Sequence, residues 1–190
     1  MDFPHLIVLS GIDGSGKSSH LAWIAAALRA AGQRYHYVRL RWAALTSYPL
    51  LLGARLLGYA PRRYNPRSQT VVIEHRYDRF LPMRLLWPQL FALDMQVLAR
   101  RKVLRPLHQG EWVLCDRYVL DAIVDVATML RNDHLLENRF ARQLLPLIPA
   151  DSRSLILDTD PATAYERKLD VPNREFLTER RPRYLQLAAT

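Results

Sequence analysis

One segment near the start of the chain limits its fold more than any other. Residues 11–18 read Gly-Ile-Asp-Gly-Ser-Gly-Lys-Ser and fit the pattern G-x-x-x-x-G-K-[ST] completely. An apolar run at 5–10 precedes the motif, and an Ala- and Leu-rich stretch follows it. Glycines in this pattern let backbone N–H groups and a helix N-terminus face phosphate groups. Because a chance glycine-rich turn would not need this context, we predict a phosphate-binding loop between a strand and a helix.

The rest of the chain alternates between strand-like and helix-like patterns. We predict strands at 5–10, 35–41, 112–115 and 154–157. We predict helices at 17–31, at 43–59 with breaks, at 90–108, 119–131 and 135–145, from 161 onward, and at 174–188 with an interruption near Pro182. Residues 61–68 are predicted to form a basic loop. This order predicts an α/β fold with three layers, α/β/α, around a mostly parallel sheet, in a single domain at 1–190.

The charge balance favours anionic ligands. Lys and Arg number 27 against 18 acidic residues, a formal net charge of +9. Nucleic acid, anionic lipid and phosphorylated small molecules would all suit such a chain, and a solvated basic surface is the alternative. No nucleic-acid-binding motif is recognisable, which argues against nucleic acid as the partner.

Other features indicate where the protein works. No stretch reaches the roughly 18 apolar residues of a membrane span, and the most apolar one, 45–60, contains Pro49, Gly53 and Arg55. The first apolar run lacks a preceding basic region, so it is predicted to be a strand and not a signal peptide. The single cysteine, Cys115, has no internal partner for a disulfide, which suits a reducing compartment. We expect a cytoplasmic protein without membrane contact.

The phosphate loop assigns roles to its residues. We expect Lys17 to reach the β- and γ-phosphates of ATP and the Ser18 hydroxyl to ligate Mg²⁺. Asp13 is unusual, since a carboxylate in an anion cradle is unfavourable without a separate task. It either binds the acceptor or a cation, or forms the turn before Gly14. The ATP-binding residues predicted in and directly after this loop are Gly11, Asp13, Gly14, Ser15, Gly16, Lys17, Ser18 and Ser19.

A second acidic position follows the strand predicted at 112–115. Asp116 would hold magnesium directly or through water, as acids at this place do in phosphate-loop proteins. Arg117 beside it suits a phosphate, because a guanidinium matches phosphate geometry with two hydrogen bonds. A simple Asp–Arg surface pair is the alternative.

The chain resembles the thymidylate kinase family of nucleoside monophosphate kinases over nearly its whole length. The family's loop G-x-D-G-x-G-K-[ST] is matched by 11–18, Asp13 included, and its D-R-[YFH] motif by 116–118. LFALDMQVLARRKVLRPLHQGEWVLCDRY resembles the family's long helix, glycine turn and strand, and LILDTDPATAYERK its fourth strand and next helix. The resemblance implies ATP as co-substrate, Mg²⁺, a small phosphorylated acceptor and pairing into a homodimer through the long helices.

The resemblance also implies roles for individual residues. Phe91 falls where an aromatic ring packs on the acceptor base, and Arg167 where a side chain lies against adenine. Residues of about 169–182 resemble the family's mobile lid, which brings arginines onto the transferring phosphate. Because Ser15 offers no arginine, the lid would supply that charge. The candidates are Arg174, Arg180 and Arg181, unless they belong to a solvated basic helix.

Several positions depart from the family. Met95 stands where an arginine reads thymine, and Asp121, Asp125 and Val126 replace a serine, an aromatic residue and a glutamine. The R-E-P segment becomes Arg-Leu-Arg-Trp at 39–42, and the family's last edge strand is expected to be absent or truncated. The predicted acceptor-binding set is Asp13, Arg39, Arg41, Phe91, Met95, Arg117, Asp121 and Asp125.

These assignments predict transfer of the γ-phosphate of ATP to a (deoxy)nucleoside monophosphate, with dTMP as a poor acceptor. The predicted catalytic residues are Lys17, Asp13, Arg117, Arg174 and Arg180. One alternative is a kinase of another small phosphorylated or hydroxyl acceptor, where Asp13 or Asp116 would be the nearest base. The other is a phosphate-loop ATPase without a small acceptor.

Overall fold

The computed structural model describes residues 5–189. Its strands are β1 (Leu6–Ser10), β2 (Tyr35–Val38), β3 (Arg62–Asn65), β4 (Thr70–Ile73), β5 (Trp112–Asp116) and β6 (Arg153–Ile156). Its α-helices are α1 (Lys17–Ala30), α2 (Tyr48–Leu56), α3 (Leu81–Ala99), α4 (Arg105–His108), α5 (Val119–Leu130), α6 (Arg139–Leu144), α7 (Pro161–Arg167) and α8 (Arg174–Ala188). A π-helical segment, Arg100–Leu104, joins α3 to α4, and 3₁₀ turns occupy Tyr77–Arg79, Asp133–Leu136 and Leu145–Leu147.

Four of the strands form one parallel sheet in the order β2-β5-β1-β6. Val8 is paired with Cys115, and Cys115 in turn with Val38, so the carboxyl ends of β1, β2 and β5 lie together. Parallel sheets bind ligands beyond these carboxyl ends, where the connections leave the sheet in opposite directions. The phosphate loop follows β1 at this edge. The α/β fold with a mostly parallel sheet is therefore confirmed.

Both faces of the sheet are covered, as a parallel sheet requires. Leu21, Ala25 and Leu28 recur at helical spacing along α1 and pack against Leu9 and Leu114 on one face. Side chains that alternate with these along the strands, such as Val8 and Cys115, join a larger cluster with α3, α5 and α8. The strands that carry the predicted site are thus held from both sides.

The predicted loop at 61–68 was wrong. Residues Arg62–Asn65 form β3, which pairs with β4 in an antiparallel hairpin. The charged β3 sequence has no apolar alternation, so its strand character depends on the β-branched partner strand. Gln69 turns the chain with φ 53°, and the Asn65 side chain donates to the Val171 carbonyl at 3.2 Å. These tertiary contacts are not visible in local sequence.

Two helix starts also differ from prediction. The helix predicted at 43–59 begins only at Tyr48, because Asp94 accepts hydrogen bonds from the backbone N–H groups of Leu45, Thr46 and Ser47. The helix predicted from residue 90 begins at Leu81 instead. Proline in the first turn of a helix is tolerated, so Pro82 does not block this early start.

Two further helix predictions failed around prolines. The single helix predicted at 135–145 is instead a 3₁₀ turn, α6 and a second 3₁₀ turn. The interruption predicted near Pro182 is absent, since α8 continues through it. Arg180 and Tyr184, on either side of Pro182, are buried against the core. Such packing contributes more to helix stability than local propensity does.

Between residues 5 and 189, the search for a helix long and apolar enough to cross a membrane found none.

Candidate active site

The phosphate loop owes its shape to glycine. Gly11 has φ +134° and Gly14 has φ +88°, conformations that side chains rarely adopt. A Cβ on Gly11 would lie 2.6 Å from the Leu157 carbonyl oxygen, and one on Gly14 would collide with the Ala164 carbonyl. The loop can therefore lie directly against the end of β6 and against α7 only because both positions lack a side chain.

Lys17 turns back into this loop. Its Nζ donates to the carbonyl oxygens of Gly11 at 2.8 Å and Ile12 at 2.6 Å, and to Ser15 Oγ at 3.1 Å. Burial, together with the nearby Arg117, lowers the pKa of Lys17 to about 8. An anion that enters the loop would therefore stabilise the charged form of Lys17 and raise its pKa.

Asp116, at the end of β5, accepts hydrogen bonds from two hydroxyl groups. Ser18 Oγ donates to Asp116 Oδ2 at 3.0 Å, and Tyr37 Oη donates to the same oxygen at 2.9 Å. Adjacent hydroxyl and carboxylate oxygens are the hard donors that Mg²⁺ prefers. Ser18 and Asp116 therefore fit a magnesium ion, which would neutralise phosphate charge there.

Tyr37 is a residue that the sequence reasoning missed. Burial and its hydrogen bond to Asp116 raise the pKa of Tyr37 to about 12, which keeps its hydroxyl a donor. The available signal was the position of Tyr37 near the carboxyl end of β2. It becomes informative only once the sheet order shows that β2 and β5 are neighbours.

Arg117 has an unusual backbone. It has φ 76°, a left-handed conformation that is uncommon outside glycine and that clusters at functional sites. Its side chain is 2% exposed and forms ion pairs with Asp13 and, at 3.4 Å, with Asp121. Within residues 5–189 its Nε has no hydrogen-bond partner. The guanidinium thus keeps one donor unused.

Two more arginines extend this ion-pair cluster. Arg41 Nε lies 2.6 Å from Asp125 Oδ2, and Arg180 pairs with the other oxygen of Asp125. Tyr184 Oη donates to Asp121 Oδ1 at 2.8 Å. We call the six charged residues the charge cluster: Asp13, Asp121, Asp125, Arg41, Arg117 and Arg180.

The arginines of the cluster lower the pKa of two of its carboxylates, Asp13 and Asp125. Burial by itself would raise the pKa of Asp13, but Arg117 and Arg41 outweigh it and hold the value at about 2. Burial likewise opposes ionisation of Asp125, whereas Arg180 and Arg41 lower its pKa. Arg180 is fully buried, so its charge depends on these acids.

A cavity of about 450 Å³, which we call the cradle cavity, opens over the phosphate loop. It is lined by Asp13, Gly14, Gly16, Lys17, Ser18, Ser19, Arg39, Asp116, Arg117, Arg167 and Lys168. Ten of these eleven residues belong to the predicted site, and Lys168 is an addition. The structure thus brings the phosphate loop, the Asp116-Arg117 pair, Arg39 and Arg167 together at one cavity.

Other residues of the predicted site lie elsewhere. Phe91 and Met95 are buried, and Phe91 packs edge-on against Trp87 with ring centres 5.9 Å apart. Asp121, Asp125 and Arg180 are buried in the charge cluster. Three further residues take separate places: Arg41 is half-buried, Arg174 is exposed at the start of α8, and Arg181 pairs with Asp158 at 2.6 Å. None of these residues is among those lining the cradle cavity.

Comparison with known proteins agrees with this geometry. The chain is 29% identical over 191 residues to a thymidylate kinase of Verminephrobacter eiseniae, covering 96% of this chain and 74% of that protein. It is 30% identical over 164 residues to one of Solidesulfovibrio magneticus, covering 85% and 67%. A match to one of Bordetella pertussis is 32% identical over 113 residues, covering 59% of this chain and 43% of that protein. No family model matches the chain.

Three findings agree with one another: the extent of the sequence similarity, the parallel sheet with its phosphate loop, and the cavity lined by that loop. The chain belongs to the thymidylate kinase family of ATP-dependent phosphotransferases.

Proposed function

We propose that this protein transfers the γ-phosphate of ATP to the phosphate of a small acceptor of the (deoxy)nucleoside monophosphate type. The observation that carries the proposal is the cradle cavity, where Lys17, the Ser18–Asp116 pair and Arg117 face one space. Phosphoryl transfer needs positioning and charge neutralisation more than covalent help. An acceptor phosphate is already ionised near neutral pH, so no general base is required.

The two ends of the cavity suggest how the substrates lie. Arg167 ends α7, which follows the edge strand β6, whereas Arg39 follows the opposite edge strand β2. We place ATP toward Arg167 and the acceptor toward Arg39 and Arg117, with the reacting phosphates between them over Lys17. The unused Nε donor of Arg117 supports a phosphate at that place.

The lid at about 169–182 stays part of this proposal. Arg180 is buried and paired with Asp125, so we expect the earlier part of the lid, with the exposed Arg174, to move. Arg180 would then hold the base of the lid in place. We also propose pairing of two copies along α3, where Leu81, Leu85, Leu86 and Leu93 are exposed. A cytoplasmic location is proposed from the sequence alone.

The residues that the family resemblance assigns to the acceptor base lie outside the cradle cavity. Phe91, Met95, Asp121 and Asp125 remain proposed base-side residues, but all four are buried and none lines the cradle cavity. This packing favours a second candidate function, a kinase for another small phosphorylated acceptor. In both cases we expect dTMP to be poorly used, because Met95 cannot donate the hydrogen bonds of an arginine.

Steady-state kinetics with dTMP, dUMP, dCMP and dGMP at matched MgATP would test the specificity. We expect kcat/KM for dTMP to fall below the roughly 10⁵ M⁻¹s⁻¹ of an ordinary dedicated enzyme. If dTMP gave the highest value of the set and exceeded that level, the proposed loss of thymine recognition would be wrong.

Asp116→Asn should raise the magnesium concentration needed for half-maximal turnover, by about tenfold or more, since the amide loses the charge that holds the ion. Ser18 and Tyr37 can both still donate to the remaining carbonyl oxygen, so folding should change less. A magnesium titration of turnover checks this, with Tyr37→Phe as a milder change at the same carboxylate. An unchanged titration in Asp116→Asn would remove Asp116 from the metal site.

A further inference from the structure

A second cavity, of about 470 Å³, lies beside the cradle cavity and is lined by several positively charged side chains. Its lining includes Arg39, Arg101, Lys102 and Arg105, and no acidic residue belongs to that lining. We call these four residues the cationic groove. Within residues 5–189 none of the four forms an ion pair, although many other arginines of the chain are paired.

The helical part of the groove has an unusual backbone. Arg101 and Lys102 belong to the π-helical segment Arg100–Leu104, and Arg105 begins α4 directly after it. Single-turn π-helical segments are rare and occur frequently at functional sites. Like charges four residues apart on a helix are unfavourable, so an anion bound beside Arg101 and Arg105 would reduce the repulsion between them.

The groove is continuous with the proposed acceptor end of the active site. Arg39 lines both cavities. Tyr37 lines the groove and also donates to Asp116, the proposed magnesium ligand. A ligand whose phosphate lies near Arg117 would therefore reach the groove by passing Arg39.

We infer that the cationic groove is a second anion subsite, which holds a further phosphate of a multiply phosphorylated small acceptor. One phosphate can accept paired hydrogen bonds from about two guanidinium groups. The groove has four cationic side chains: one directly after β2, and three where the π-helical segment meets α4. Four such side chains therefore suit a ligand with at least two phosphates. This inference rests on the proposed phosphoryl transfer. It favours the second candidate function, a kinase for another small phosphorylated acceptor, because a nucleoside monophosphate has no phosphate beyond the one that reacts.

The distribution of lysines permits a direct test. The chain has three lysines, and they are Lys17 in the phosphate loop, Lys102 in the groove and Lys168 at the cradle cavity. Acetylation of each can be followed by mass spectrometry with MgATP, inorganic tripolyphosphate or orthophosphate at equal ionic strength. At ten times its dissociation constant, bound tripolyphosphate should slow acetylation of Lys102 by about tenfold.

Matched variants separate binding in the groove from general screening. Arg101→Ser/Arg105→Ser should abolish protection of Lys102 by tripolyphosphate, while MgATP still protects Lys17. Arg139→Ser/Arg142→Ser removes the same charge from α6, outside both cavities, and should keep the protection. Loss of Lys17 protection by MgATP in the unmodified chain would count against the proposed function, not against the groove.

Three results would overturn the inference. They are Lys102 acetylation unaffected by tripolyphosphate, equal protection by orthophosphate, and protection by a short single-stranded oligonucleotide but not by tripolyphosphate. The last result would assign the groove to nucleic acid.

Discussion

Lys17→Ala is expected to lower kcat by about 10²-fold or more while the chain stays folded. The ammonium lies inside the loop that we propose to hold the transferring phosphate, and nothing else in the loop carries positive charge. Steady-state turnover with saturating MgATP measures the loss. Lys17→Met, which keeps the length of the side chain, should behave like Lys17→Ala if charge is what matters.

The same residue predicts a pH dependence. Because burial and Arg117 lower the pKa of Lys17 to about 8, the free protein loses this charge as pH rises above that value. We expect ATP affinity to fall as pH increases from 8 to 9, and to lack this fall in Lys17→Ala. Folded Lys17→Ala with the turnover of the parent would contradict the assigned role.

Asp125→Ala should destabilise the fold by about 3–5 kcal/mol, because it leaves Arg180 as a buried, uncompensated charge. Arg180 is 0% exposed, and Asp125 also holds Arg41, so one substitution breaks two ion pairs. Urea unfolding, with the transition followed by circular dichroism, gives the free energy of unfolding.

The ion pair between Arg181, the residue after Arg180 on α8, and Asp158 provides a control for this prediction. Arg181 forms a pair of hydrogen bonds with Asp158 at 2.6 and 2.7 Å, but both side chains are well exposed. Asp158→Ala should therefore cost at most about 1 kcal/mol. Equal losses in Asp125→Ala and Asp158→Ala would show that the charge cluster does not stabilise the fold as we describe.

How far the sequence predicts this protein differs between its parts. The phosphate loop and the strand before Asp116 follow from local patterns, since glycine spacing and an apolar run specify them without distant contacts. The β3–β4 hairpin and the unbroken α8 depend on partners far along the chain, so their local sequences mislead.

The charge cluster, like the β3–β4 hairpin, could not be predicted from local sequence. Arg41, Arg117 and Arg180 are each suited to phosphate, and the sequence does not reveal that Asp13, Asp121 and Asp125 lie against them. Pairing between residues more than 80 positions apart, as for Arg41 and Asp125, becomes visible only when the helices are placed. The cationic groove likewise arises from β2 and α4 meeting beside the sheet.

Transfer of label from ATP marked at its γ-phosphate tests the central claim most directly. The intact chain, MgATP and a panel of singly and multiply phosphorylated acceptors would be incubated, and the products separated. We predict that label appears on an acceptor, joined to its existing phosphate, and that Lys17→Ala abolishes this product. Label found only in inorganic phosphate, whatever acceptor is present, would contradict the account and indicate an ATPase without a small acceptor.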